Sequence, residues 1–316
     1  NYGQKLPSHD DLEILGGNLL ADPAASGRAE MAVWLTGNQN TLTPRVMANR
    51  IWQQHFGRGL VATANDFGTR GEKPSHPKLL DWLASQFVEN GWSVKSMHRL
   101  ILNSATYRQS TEFDEAAAEL DPEARLLWRF NRRRLSAEEI RDAMLLVSGE
   151  LDPTKGGEHP FPAVESWGFS QHGPYYGVYP TKRRSVYLMQ QRLKRHPFLG
   201  LFDGADVNVS MARRDLTTVP TQALYLMNSD FVHERAASVA RRLLAAKTEQ
   251  SSRLQSLFEL TLGRPPRGSE IAESAEFLTS YTQALAESGM PEEQRVQAAW
   301  SGFVRTVLTR NEFLFV

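Results

Sequence analysis

The chain has 316 residues, 41 % hydrophobic and 23 % charged, a globular mixture long enough to bury a core without staples. Lysine plus arginine equals aspartate plus glutamate at 36 each, so no global field draws the chain to nucleic acid or to an anionic membrane. There is no cysteine, which excludes disulfides, thiolate chemistry, cysteine-ligated metals and covalently attached c-type haem in this chain.

No apolar run approaches the ~20 residues that cross a bilayer, so no membrane span is expected. The start at Asn1 reads as a boundary or a processed end, with the native protein continuing on the N-terminal side. Gly3, Pro7, Gly16, Gly17 and Pro23 break residues 1–26 into an irregular lead-in. A first helix is predicted over Arg28–Thr36, stopped by Gly37-Asn38. Thr43 as cap and Pro44 in the first turn open a second, whose apolar face is Val46, Ile51, Trp52 and Phe56, and Gly57 ends it. Residues 57–77, GRGLVATANDFGTRGEKPSHP, read as a long ordered loop, and such loops are often functional. His76-Pro77 begins a helix with the stripe Leu79, Leu80, Leu83 and Phe87, closed by Gly91. Ser93 caps the next, running to about Ala105 with Val94, Met97, Leu100 and Ile101 inward.

Residues 111–124 are acidic and alanine-rich, a surface helix or linker. Ser136 and Glu139 form a capping-box signature for a helix through Ile140, Met144 and Val147 to Gly149. Gly, Pro and aromatic residues then crowd residues 150–182, and Arg184–Gln190 alternates as a short strand would, Val186 and Leu188 against Tyr187 and Met189. After Pro220, helices are predicted over Gln222–Met227, Asp230–Ala246, Arg253–Leu262, from a Ser269 cap into Tyr281, and over Glu292–Thr309. The fold class is mainly α: a multi-helix globular domain with a small irregular β/loop insertion around residues 150–218. The expected organisation is a lead-in at 1–26, a helical subdomain at 27–149, the insertion at 150–218 and a second helical subdomain at 219–316.

Several blocks of the sequence carry a family resemblance. They are NRIWQQHFGRGLV, NDFGTRGEKPSHPKLLDWLA, GWSVKSMHRLILNSATYRQS, RRRLSAEEIRDAML, RRSVYL, TTVPTQALYLMN, LGRPP and the terminal NEFLFV. Over residues 28–316 the chain resembles the planctomycete-specific domain family of unknown function. That family usually forms the C-terminal part of exported proteins with a cytochrome-c-like module. The resemblance therefore implies an extracytoplasmic location, periplasmic or secreted, and neighbouring domains as partners. It implies no reaction. No cofactor is expected in this chain, since haem attachment needs the missing cysteines.

The loop holds the candidate catalytic pair, Asp66 and His76, an acid/base and orienter combination, with Arg58 beside it to hold an anion. Arg45 and Asn49 share one helix face with Arg50 adjacent, and either form a ligand site or tie the loop down through its carbonyls. His98 and Arg108 lie on and just after the Ser93 helix, without metal-ligand spacing, so no metal site is expected. Arg134, Arg184 and Arg214 come from three arginine clusters that either meet around a polyanion or pair internally with Glu138, Glu139, Asp142 and Asp203. Trp167 and Tyr176 suit sugar stacking or a small aromatic core.

Walker, dinucleotide and GxSxG patterns are missing. Three functions fit these residues: a glycan-binding or assembly module, a polysaccharide-acting enzyme using Asp66 and His76 with an arginine-lined anion site, and a docking module for a haem domain. Whether the chain is an enzyme stays open at this level.

Overall fold

The computed structural model describes residues 27–157, 181–192, 195–246 and 249–316. The lead-in, Trp167 and Tyr176 lie outside the described residues. The chain is mainly helical, and the described residues contain no strand, only two isolated bridges, Arg134 with Phe315 and Asp152 with Arg183. It forms two compact units, Asn1–Asn131 and Arg132–Val316.

In the first unit, α1 is Arg28–Thr36 and α2 is Leu42–Phe56. α2 starts earlier than its Thr43-Pro44 signal suggests, because the buried Asn40 accepts the Leu42 and Thr43 N–H groups, both at 3.1 Å. Gly57 ends it at φ 75°, a left-handed conformation that glycine adopts without a Cβ clash. α3 is Pro77–Glu89 and α4 is Val94–Leu102. α4 stops short of Ala105: the Ser104 hydroxyl bonds the Ile101 carbonyl and accepts the Tyr107 N–H, competing with the helical ladder. Val94, expected inward, is exposed in the first turn. The two-turn α5, Glu115–Leu120, buries nothing. Ala48, Ile51 and Trp52 of α2 meet Leu80, Leu83 and Phe87 of α3 and Met97 and Ile101 of α4 in one core. Each large side chain buried there contributes roughly 1.5–3 kcal/mol.

The second unit begins with α6, Ala137–Ser148, opened by the Ser136–Glu139 capping box and closed by Gly149 at φ 75°. The strand expected at Arg184–Gln190 is instead a 3-10 turn over Ser185–Tyr187, so that Val186 is 75 % exposed while Leu188 is buried. The reason is side-chain capture: Asp142 of α6 accepts both the N–H and the hydroxyl of Ser185, at 2.8 and 2.7 Å, and no neighbouring strand is needed. α7 is Pro197–Leu201, α8 Pro220–Asn228, α9 Asp230–Ala246 and α10 Gln250–Leu262. α11 is Gly268–Glu287, α12 Glu292–Leu308 and α13 Asn311–Leu314. The predicted Ser269 cap falls inside α11, because the Arg267 N–H already donates to Glu270, 2.7 Å away. α9 is the central helix, packed on α6, α8, α10 and α12. Val239 and Ala240 of α9, Leu257 and Phe258 of α10 and Val304, Val307 and Leu308 of α12 are fully shielded from solvent.

An ion network closes this unit. Arg264 grips Glu270 of α11 at 2.7 Å and Glu312 of α13 at 2.5 Å, and Arg310 stands 3.5 Å from Glu270. The Arg264 hydrogen bonds, against a smaller opposing effect of burial, hold the Glu270 carboxyl down to about 2. A depressed carboxyl stabilises the fold above its ordinary value of 4.5, and that contribution disappears as pH falls through about 2. Glu270→Gln is therefore expected to lower the urea midpoint at neutral pH and to lose its disadvantage progressively toward pH 2. A gap between variant and native chain that stays constant across the acid range would refute the assignment.

Candidate functional site

The candidate residues of the loop turn out to be held by local bonds. Asp66 Oδ1 accepts the Gly68 N–H at 2.9 Å and closes its own turn. His76 Nδ1 lies 3.0 Å from the Ser75 hydroxyl. No hydrogen bond among the described residues joins Asp66 to His76. Asn49, with no solvent exposure, brackets Val61: its Oδ1 accepts the Val61 N–H at 2.8 Å and its Nδ2 donates to the Val61 carbonyl at 3.0 Å. Gly59 leaves room for that clasp, since a Cβ there would come within 2.6 Å of Asn49 Nδ2. Arg50 reaches Asn65 at 2.6 Å, and Arg58 pairs with Glu123 at 2.6 Å. Arg45 pairs with Asp81 at 2.7 Å and also holds the Thr41 carbonyl. These side chains fasten loop and helices together.

His98 Nδ1 meets His55 Nε2 at 2.7 Å, with ring centroids 4.9 Å apart, an imidazole–imidazole hydrogen bond that ties α4 to α2. Arg108 donates to the Asn103 carbonyl. In the second unit Arg134 is buried on Asp203, and Arg214 pairs with Glu138. Arg184 is exposed, its carbonyl accepting the Tyr187 N–H. Burial pushes the Asp203 carboxyl up, but hydrogen bonds from Arg134 and Thr217 outweigh it and hold the group below the usual aspartate value.

A different set of residues forms a cleft. Between α3 and α4 of the first unit lies a cavity of about 610 Å³, within the range typical of small-ligand sites. Its floor is the buried Trp52, Leu83, Met97 and Ile101. Its rim carries Trp82, Gln86 and Asn90 from α3 and Ser96, Arg99, Asn103 and Thr106 from α4 and the turn after it. Trp82 is 48 % exposed and stacks on no other ring among the described residues. Gln86 donates to Glu89 at 2.7 Å and Asn90 to the Gln86 carbonyl at 2.7 Å, which leaves both side-chain amide oxygens open. The lining contains one cation, Arg99, and no carboxylate.

A polar stripe at spacings of three and four, Ser96, Arg99, Asn103 and Thr106, runs beside the apolar Met97, Leu100 and Ile101. On α3, Trp82 and Gln86 border the Leu79–Leu83 stripe in the same way. This signal is present in the sequence but carries no meaning until the two helices are seen side by side.

The profile of the PSD1 family, described as protein of unknown function (DUF1553), matches residues 27–278. The chain belongs to this family. The match covers all of the cleft of the PSD1 chain and most of its second unit. No curated protein and no solved structure matches the chain.

Proposed function

We propose that this PSD1 chain is a glycan-binding module of an exported multidomain protein, and that the α3–α4 cleft is its binding site. The observation that carries the reading is Trp82: a half-exposed, unstacked indole on the rim of a cleft edged by amides, hydroxyls and one guanidinium. A sugar ring presents an apolar C–H face, which suits an aromatic platform, and equatorial hydroxyls, which suit the open oxygens of Gln86 and Asn90 and the amide of Asn103. The resemblance to exported proteins supports the location and the neighbouring domains, including a cytochrome-c-like one.

Removing the platform tests the site. Trp82→Ala is expected to weaken glycan binding about tenfold or more, equivalent to about 1.4 kcal/mol or more, with an unchanged circular dichroism spectrum because the ring is not part of the buried core. Calorimetry with a ligand first found on a glycan array is the measurement. Equal affinity of variant and native chain would sink the proposal, as would an array on which nothing binds.

A further inference from the structure

We infer that the glycan taken by this cleft is acidic, carrying a carboxylate or sulfate that the Arg99 guanidinium receives. The inference rests on the glycan reading above and adds the charge of the ligand.

The first observation is that Arg99 is unoccupied. Many arginines of the chain are engaged, Arg45 with Asp81, Arg58 with Glu123, Arg134 with Asp203, Arg214 with Glu138 and Arg264 with Glu270, while Arg70, Arg213 and Arg241 are, like Arg99, without an ion pair to a described residue but do not line this cleft. The Arg99 side chain forms no hydrogen bond or ion pair with any described residue, yet it lines the cleft. The second is that nothing in the lining opposes an anion, since no aspartate or glutamate belongs to it. Glu89, which holds the Gln86 amide, lines a separate cleft on the opposite flank of α3, together with Asp81. The third is the setting. Lys95 precedes Arg99 by one turn of α4, and Lys78 precedes Trp82 by one turn of α3. Both lysines are exposed and neither pairs with a described residue. Arg99 is thus the single charged group in a lining without a carboxylate, with an exposed lysine one turn away along each of the two helices, in a chain whose overall charge is zero. A guanidinium presents parallel N–H donors that match the oxygens of a carboxylate or sulfate, and charge-assisted bonds of this kind are stronger than neutral ones.

The test begins with the native chain on an array of neutral, uronate-containing and O-sulfated glycans, followed by calorimetry on a neutral glycan and its acidic counterpart. The acidic form is expected to bind about tenfold tighter at low salt, with the advantage shrinking as salt is added. Arg99→Gln should remove most of the acidic-over-neutral advantage, read as the ratio of the two affinities, and Arg99→Lys should keep part of it. Arg99 is exposed and unpaired, so neither variant disturbs the fold. The uronate and sulfate arms decide which oxyanion is preferred. Equal affinity for neutral and acidic forms, or an acidic preference that survives Arg99→Gln, overturns this inference and leaves the glycan reading standing. An array silent in all three classes overturns both.

Discussion

Replacing Arg134 with methionine is expected to destabilise the second unit by about 3–5 kcal/mol. The guanidinium is 8 % exposed and sits 2.6 Å from Asp203, whose side chain is 15 % exposed. It also donates to the Thr217 carbonyl and, at 3.1 Å, to Gln222 Oε1. Methionine fills similar space but leaves Asp203 half-buried with only the Thr217 N–H and hydroxyl, each at 2.8 Å. Removing one partner of a buried pair costs more than the pair is worth, because the remaining charge keeps its desolvation penalty. The double variant Arg134→Met with Asp203→Asn should therefore regain a substantial part of the loss in urea unfolding. The pH dependence follows from the depressed Asp203 carboxyl: its contribution is present above the ordinary aspartate value of 3.8 and fades as pH falls below it. The gap between native chain and Arg134→Met should narrow in acid. A variant within about 1 kcal/mol of the native chain at pH 7 would show that the buried pair is not what holds this region.

Asn49→Leu is the second large effect, with an expected loss of about 2–5 kcal/mol in the first unit. Leucine conserves the volume but offers nothing to Val61, whose N–H and carbonyl the Asn49 amide satisfies and which is itself 2 % exposed. Each buried group left without a partner costs about 1–3 kcal/mol. The loop would respond locally: amide exchange at Val61, and at Ser75, whose N–H bonds the Leu60 carbonyl at 2.9 Å, should accelerate well beyond that of the α3 core. Asn49→Asp sharpens the test. A carboxylate keeps the acceptor but faces the Val61 carbonyl with a second negative oxygen. Burial and that carbonyl would raise its folded pKa, so its stability should improve as pH falls toward protonation and worsen as pH rises. Val61 and Ser75 exchange unchanged in Asn49→Leu would mean that the loop is fastened elsewhere.

These expectations recast the long loop. Its glycines and polar residues resemble a catalytic loop in composition. In the folded chain Gly59 makes room for Asn49, Asp66 closes a turn, and Arg50 and Arg58 reach Asn65 and Glu123. Part of that polarity satisfies backbone groups of the irregular stretch, through Asn49, Thr63 and Asp66, and part of it pairs side chain with side chain.

The helices were legible because their signals are short-range. Ser136 with Glu139, Gly57, Pro77, Ser93 and Gly149 act within one turn of the residues they cap or stop, and periodicity named most of the core: Ile51, Leu83, Met97, Ile140, Val304 and Val307 are all buried. The misjudged details came from side chains reaching past their own turn. Asn40 moved the start of α2, and Asp142 drew Ser185 into a turn where alternation suggested a strand. The pairing of arginines, too, needed the fold, since Arg134 meets Asp203 across 69 residues and Arg58 meets Glu123 across 65. The same holds for the cleft. Its polar stripe on α4 and the Trp82 edge of α3 are ordinary amphipathic patterns when read one helix at a time. Only the packing of α3 against α4 sets an unstacked indole, open amides and an unpaired arginine around a common space, because concavity belongs to the contact between helices and to neither sequence alone.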